Sequence, residues 1–364
     1  MLRNSHNRFF PTPDFLEMPS FGLDISDESL KFVELLTTRG GIRLGRYGER
    51  KIPSGIIESG KIKDPKKLEQ ILSALKKEVG IKSVRVSLPE EQVYIFRLHL
   101  DKTELKDIRE RIELSLEDHV PIPAEEAIFD YELLKEDEHK LELQVTALPR
   151  SIAESYLSIF ENSAIEVQSL ELEAQAISRA VIKKGDLETY MIVDFGEKRT
   201  GVFIISNGIV IFASTLEFGG DTLTEMIKKS FNISFEEAEK MKQEYGLQRN
   251  LENKEIFSVL LNGVSILRDE VAKNLLYWQT HKDEGGNSNP LIKKIILCGG
   301  NANIVGLADY FSVSLKNRAE TGDVWCNIID DIATGKKYIP GISLEESLSY
   351  ATALGLALGD FRYD

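Results

Sequence analysis

The sequence predicts an α/β chain made of two duplicated lobes that face each other across a cleft. Three features carry that expectation. An Asp-led run of three short strands occurs twice, first within residues 20–52 and again from Tyr190 to Ser214. A repeat on this scale means duplicated units, and duplicated lobes leave a cleft between them. A stretch of different character, residues 89–160, separates the opening elements of the first lobe from the second meander.

The elements follow in chain order. Phe21-Gly-Leu-Asp-Ile-Ser leads to Leu30-Lys-Phe-Val-Glu-Leu-Leu, and Gly40-Gly41 turns into Ile42-Arg-Leu-Gly-Arg-Tyr. Alternating apolar positions between turn residues predict a hairpin meander. Leu68, Ile71, Leu72 and Leu75 share one helical face over 65–79, and Gly80 ends that helix. Val84 to Leu88 is a further strand, stopped by Pro89.

Residues 89–160 read as strand, helix, strand, strand, helix. A strand over Val93 to Leu100 precedes a charged helix over about 102–118, with Asp101 and Glu104 as its capping box. Pro121 and Pro123 end the helix, and strands over 129–134 and 140–148 precede a helix from Arg150 to Phe160. This is enough for a small inserted α+β subdomain.

The second meander pairs Tyr190-Met-Ile-Val-Asp-Phe-Gly with Gly201-Val-Phe-Ile-Ile-Ser, and Asn207-Gly208 turns into Ile209-Val-Ile-Phe-Ala-Ser. Asn-Gly between two β-rich runs is a strong hairpin signal. Helices follow: one capped by Ser234 and Glu237 that stops at Gly246, and one over about 253–280. A loop over 283–289 leads to a buried strand over 292–297, and a last helix runs from Ser343 to about Leu358. The expected organisation is a leader over 1–20, a first lobe from 21–88 with 161–188 and 345–364, an insert over 89–160, and a second lobe over 189–344.

Composition narrows the function classes. The 364 residues carry a net charge of -14 and are 42% hydrophobic and 29% charged. Such a charge repels phosphate backbones, so nucleic acid is not an expected partner. A pocket of backbone amides and helix N-termini still suits a single nucleotide. The longest apolar stretch, Gly201 to Ser214, is broken by Ser206, Asn207 and Gly208 and is too short to span a bilayer. Cys298 and Cys326 are not spaced as a metal site and read as thiols of a reducing, cytoplasmic compartment.

Chemistry concentrates at four places. Asp24 and Asp194 each end a strand before a turn, where turn amides and hydroxyls suit phosphate oxygens and the Asp suits magnesium-bound water. Either Asp alone reads more readily as a hairpin cap, and only the pair in equivalent places is specific. Phe218-Gly-Gly-Asp-Thr opens a helix, so Gly219, Gly220 and Asp221 either present amides to an anion or form a plain strand-to-helix turn. Glu239 and Lys242 share a helix face and either grip a nucleoside or form a solvated pair. Cys298-Gly-Gly-Asn-Ala leaves room for a flat base over Gly299 and Gly300, or makes a tight turn.

The order of these elements resembles that of the actin and FtsA superfamily. Three stretches resemble the PilM family of type IV pilus assembly. One runs from Ile192-Val-Asp-Phe-Gly through Leu216-Glu-Phe-Gly-Gly-Asp-Thr-Leu-Thr to Glu236-Glu-Ala-Glu-Lys-Met-Lys. The others are Glu117-Asp-His-Val-Pro-Ile-Pro-Ala-Glu-Glu-Ala with Asp130-Tyr131, and Ile296-Leu-Cys-Gly-Gly-Asn-Ala-Asn-Ile-Val-Gly-Leu. The resemblance implies an actin-like, ribonuclease H-like fold with an inserted subdomain of the FtsA and PilM type. It implies ATP or ADP with Mg2+ between the lobes, with magnesium at Asp24 and Asp194. Ser26, Ser29 and Lys31 would belong to the first phosphate loop, and Gly196, Thr200 and Gly201 to the second. Glu239 and Lys242 would contact the nucleoside, Gly299, Gly300 and Asn301 the adenine, and Glu173 the attacking water.

It also implies partners. A PilN-type inner-membrane protein would dock its N-terminal cytoplasmic peptide between the first lobe and the insert. PilO, the pilus ATPase, platform proteins and self-association are further expectations. The residues after Leu358 carry no amphipathic anchor of the FtsA kind, so the membrane's inner face is expected to be reached through a partner. An FtsA-like division protein and a small-molecule kinase are the alternatives, and no convincing base for a kinase is legible. A relative of the GspL kind would carry a transmembrane helix.

This chain departs from the family pattern in both loops. Ser26-Asp27-Glu28 places two carboxylates in the first, and Glu197-Lys198-Arg199 stands where small residues are usual in the second. Gly201 stands where PilM relatives often carry an acidic residue. Carboxylates repel a triphosphate. The expectation is therefore a scaffold with weakened nucleotide binding and slow or absent hydrolysis.

Overall fold

The computed structural model describes residues 20–38, 41–101, 108–248, 253–281, 288–328, 340–359 and 361. Apart from Ser20, the leader expected over 1–20 lies outside them, as do Glu104 of the expected capping box and most of the loop expected over 283–289.

The first meander is β1 (Phe21–Ile25), β2 (Ser29–Thr38) and β3 (Gly41–Lys51). A two-residue hairpin, β4 (Ile57–Glu58) and β5 (Lys61–Ile62), follows and was not legible in the sequence. Helix α1 (Pro65–Val79) starts where Asp64 accepts the Lys67 amide at 3.2 Å and stops at Gly80, whose φ of 78° lies in the left-handed region. Strand β6 (Ser83–Leu88) then pairs parallel with β1.

The insert folds as β7 (Tyr94–Asp101), α2 (Ile108–His119), β8 (Ala127–Glu136) and β9 (Lys140–Pro149), with sheet order β7-β9-β8. Ile112 and Leu116 of α2 pack on Leu98, Leu143 and Val145. Helix α3 (Arg150–Asn162) turns elsewhere: Ile152, Tyr156, Ile159 and Phe160 join the core of the first lobe. Strand β10 (Glu166–Leu172) closes that sheet in the order β10-β6-β1-β2-β3, and α4 (Glu173–Val181) follows.

The second meander is β11 (Tyr190–Phe195), β12 (Thr200–Ser206) and β13 (Ile209–Leu216). Asn207 and Gly208 have φ of 53° and 77°, the two positive values that a twisted two-residue hairpin requires. Helices α5 (Gly220–Phe231), α6 (Phe235–Tyr245) and α7 (Lys254–Thr280) lead to β14 (Lys294–Cys298), α8 (Leu307–Leu315) and β15 (Ala319–Thr321). The sheet order is β13-β12-β11-β14-β15. Each sheet is thus an antiparallel meander continued by two parallel strands, and Asp24 and Asp194 occupy the same place, one residue before the end of the central strand.

The single helix expected from Ser343 is broken in three. Helix α9 (Leu344–Ser347), capped by Ser343, gives way to a 3-10 turn over Leu348–Tyr350 and then to α10 (Ala351–Leu358). The Leu348 carbonyl accepts both the Ala351 amide of the 3-10 turn and the Gly299 amide, the latter at 3.3 Å, which ties this break to the end of β14. Helix α10 packs on β1 and crosses α4 so closely that a Cβ at Gly355 would lie 1.7 Å from the Ala176 carbonyl oxygen.

Candidate functional site

The cleft is built on the ends of β1 and β11. Ser87 Oγ donates to Asp24 Oδ1 at 2.8 Å, and the Ile25 amide donates to the same hydroxyl oxygen at 3.2 Å. Desolvation pushes the Asp24 carboxyl upward, while the Lys31 charge and the Ser87 hydrogen bond oppose it. The turn beyond Asp24 is closed on itself: Ser26 Oγ accepts the Ser29 amide at 3.1 Å, and the Ser26 amide donates to the Ser29 carbonyl at 2.9 Å. Asp27 caps the β4–β5 turn, accepting the amides of Ser59 at 2.9 Å and Gly60 at 3.0 Å.

The second turn is closed as well. Desolvation and the Asp24 charge push Asp194 up to about 6. The Gly196 amide donates to the Arg199 carbonyl at 3.0 Å. The first amides of α5, which an anion would need, are occupied: Gly220 donates to the Gly196 carbonyl at 3.0 Å and Asp221 to the Glu197 carbonyl at 2.8 Å. Gly219 makes this approach possible, since a Cβ there would lie 2.1 Å from the Glu197 carbonyl oxygen. Thr200 is fully buried and donates to the Phe218 carbonyl at 2.7 Å.

The two turns grip each other across the cleft. Lys198 Nζ lies 2.5 Å from a Glu28 carboxylate oxygen, and Arg199 lies 3.1 Å from Asp27. The Arg199 guanidinium also pairs with Glu91, donates to Ser59 Oγ at 3.0 Å and reaches Glu217 at 3.2 Å. Desolvation opposes ionisation of Glu28, but hydrogen bonds with Glu197 and Lys198 hold its carboxyl below the usual range. Desolvation and the Glu28 contact push Glu197 up to about 7. Asp27 and Glu28 of one turn are therefore the ionic partners of Arg199 and Lys198 of the other.

Carboxylates crowd the floor. Glu173, at the N-terminus of α4, is pushed well above its usual value by desolvation and by Asp24 and Glu91. Glu90, only 5% exposed, accepts the Ala174 amide at 3.5 Å and so caps α4 from outside the helix. Its other oxygen has no partner, and desolvation pushes the group up to about 8. Among the described residues no group of three or more His, Cys, Asp or Glu is disposed to ligate a metal ion. Asp24 and Asp194 both face the cleft, where desolvation disfavours the charged form of each and the Lys31 charge opposes that shift.

The structure brings Asp24, Ser26, Ser29, Lys31, Glu173, Asp194, Gly196, Gly201, Gly299 and Gly300 to one cavity of about 140 Å³. Thr200, Gly219, Gly220, Asp221, Glu239, Lys242 and Asn301 do not line it. Lys242 is 2% exposed and is spent on protein groups: Glu239 at 2.7 Å, Asn301 Oδ1 at 2.8 Å and the Gly220 carbonyl at 3.2 Å. Asn301 in turn donates to the Gly196 carbonyl at 2.9 Å. Ligand pockets usually enclose about 300 Å³ or more. The cleft as it stands here falls below that range, as does the groove described below. Sequence reasoning missed Glu90, Glu91 and Ser87, which carry no motif; Glu90 follows Pro89 at a strand end, and nothing local marks it as buried.

A second groove of about 250 Å³ lies between the insert and the first lobe. Its walls are β8 and β10, each an outer strand of its sheet. Leu88, Leu148, Leu172 and Val210 give it an apolar floor. Asp130, Glu132 and the Gln144 amide oxygen supply acceptors along it, beside the Tyr131 and Thr146 hydroxyls and the Gln175 amide. Gln144 is 3% exposed with an unpartnered Oε1, and desolvation together with Asp130 raises the Glu132 carboxyl.

Comparison with known proteins agrees with the architecture. A PilM–PilN type IV pilus biogenesis complex is 21% identical with a TM-score of 0.77, covering 95% of this chain and 100% of that one. MreB5 of Spiroplasma citri bound to ADP is 14% identical with a TM-score of 0.52, covering 84% of this chain and 92% of that one. These likenesses show the actin-like fold. FtsA of Streptococcus pneumoniae is 26% identical over 174 residues, a match spanning 44% of this chain and 38% of that relative's length. The family described as type IV pilus assembly protein PilM matches residues 22–361, nearly all of the chain, and with the duplicated sheets and the insert in place this protein belongs to it.

Proposed function

We propose that the protein is a scaffold of the type IV pilus inner-membrane platform that docks the N-terminal cytoplasmic peptide of a PilN-type protein in the second groove. The observation that carries this is the pair of outer strands, β8 and β10, flanking an apolar floor. An extended peptide adds to such an edge by main-chain hydrogen bonds, and alternate side chains fill the floor. Asp130, Glu132 and Gln144 Oε1 favour a peptide that carries cationic or amide donors. The likeness to a PilM–PilN complex supports the same reading. Among the described residues no helix is long and apolar enough to cross a membrane, and the peptide would bring the protein to the membrane's inner face.

Isothermal titration with a PilN-type N-terminal peptide tests this reading. Glu132→Arg should weaken binding by about tenfold or more, and Thr146→Trp, which fills the groove, should abolish it. Absence of binding by the unaltered protein would sink the reading.

Nucleotide is a conformational ligand in this proposal, entering only when the lobes part. Ser26, Ser29, Lys31, Gly196, Gly201, Gly299 and Gly300 line the cleft it would occupy. Thr200, Gly219, Gly220, Asp221, Glu239, Lys242 and Asn301 shape its walls from behind. A magnesium ion accompanying ATP or ADP would be held through water by Asp24 and Asp194, and would neutralise phosphate charge. Glu173, raised well above its usual value, favours its protonated form and is a poor base. Hydrolysis is therefore slow or absent, and brisk phosphate release from magnesium-ATP would contradict this.

A further inference from the structure

We propose that Asp27 and Glu28 stand in for a ligand's phosphate oxygens: the protein's own carboxylates occupy Lys198 and Arg199 and hold the two lobes closed without nucleotide. The inference rests on the nucleotide reading only for the identity of the competing ligand. The closure itself is a property of the chain.

The geometry separates this latch from an ordinary surface ion pair. An exposed pair is screened and contributes little. Arg199 is 17% exposed and Asp27 11%, and one guanidinium meets Asp27 and Ser59 of the first lobe and Glu91 at the start of the insert while also reaching Glu217 of its own lobe. Asp27 is fixed before Arg199 reaches it, because the Ser59 and Gly60 amides already hold its carboxylate. Lys198 adds an independent contact to Glu28. A guanidinium and an ammonium beside a glycine-containing turn are the groups that recognise a polyphosphate. Here carboxylates of the facing turn have taken those positions, and the Ser26, Ser29 and Gly196 amides donate to the protein itself.

The consequence is competition. A polyphosphate binds only the fraction of molecules whose latch is open, so its apparent affinity falls by that fraction. Glu28 and Asp27 also repel it until they are displaced.

The test uses the full chain in two arms. In the first, without nucleotide, hydrogen exchange is followed over residues 25–29 and 196–199. Asp27→Asn with Glu28→Gln should speed exchange there and leave α1 and α7 unchanged. Lys198→Glu alone should do the same, and the swap Glu28→Lys with Lys198→Glu should restore slow exchange. Unchanged exchange in the double variant, or no restoration by the swap, overturns the latch. In the second arm, a ribose-labelled fluorescent ATP with magnesium is titrated. The double variant should bind about tenfold more tightly than the unaltered chain. Equal or weaker binding by the variant overturns the competition. Faster exchange with no ATP bound by either protein upholds closure by the carboxylates and removes nucleotide as the competitor.

Discussion

Glu90 carries a strong pH signature. Its carboxyl is buried beside Glu91, Glu173 and Asp194, and desolvation lifts it from 4.5 to about 8. A raised carboxyl stabilises the fold while protonated: the contribution is complete below about pH 4.5 and is lost as pH rises through about 8. Glu197, raised to about 7 by desolvation and the Glu28 contact, acts in the same direction. Glu34 and Glu171, held low against desolvation by Arg46 and Arg179, lose their contribution only on acidification below that window. The melting temperature should therefore fall between about pH 5 and pH 8, and Glu90→Gln should flatten the slope while keeping an acceptor for the Ala174 amide. A parallel slope in the variant would count against Glu90 as the source. Lys242 is the other costly residue. Lys242→Met leaves Glu239 and Asn301 without their cation and should destabilise by about 2–3 kcal/mol, less than for a fully buried pair because Glu239 is 31% exposed. Urea denaturation measures it.

Two elements, α4 and α10, connect the lobes to the sites. Helix α4 begins at Glu173 in the cleft, carries Gln175 in the second groove and meets α10 at Gly355. Gly355→Ala should destabilise by about 2–3 kcal/mol or more, since the new methyl would overlap backbone rather than a movable side chain. The segment from Leu88 to Glu91 spans the same two sites, with Leu88 in the groove and Glu90 and Glu91 in the cleft. Both segments are held together where Glu90 accepts the Ala174 amide.

At the scale of the whole molecule, the two cavities share these segments, which would couple them if both bind ligands as proposed. Val210, on a strand of the second lobe, forms part of the groove floor with residues of the insert and the first lobe. On the proposed function, parting the lobes for a nucleotide would move Val210 away from a docked peptide. Each ligand should therefore weaken the other, by about fivefold, and by the same factor in both directions. Titrations of peptide with and without magnesium-ATP, and of ATP with and without peptide, check the equality. Mutual strengthening would contradict the geometry.

The duplicated fold was legible because its signals are local. Asn207-Gly208 specifies its hairpin, Gly80 its helix stop, and the spacing of Asp24 and Asp194 at strand ends marks equivalent positions in two sheets. The candidate site was half legible for the same reason: both loops could be placed, and their unusual charges noticed, from short stretches of chain. Whether Arg199 is solvated, bound to phosphate or paired with Asp27 depends on which turn faces it. That is a distance between lobes, and only the tertiary structure sets it. The same holds for Glu90, whose ionisation is decided by the side chains that exclude water from it, and for Lys242, whose partners lie on α5 and beyond β14 as well as on its own helix. The sequence by itself determined two lobes, an insert and the cleft-facing turns. The tertiary structure decided that those turns neutralise one another, because Coulomb attraction follows separation and burial in space rather than position along the chain.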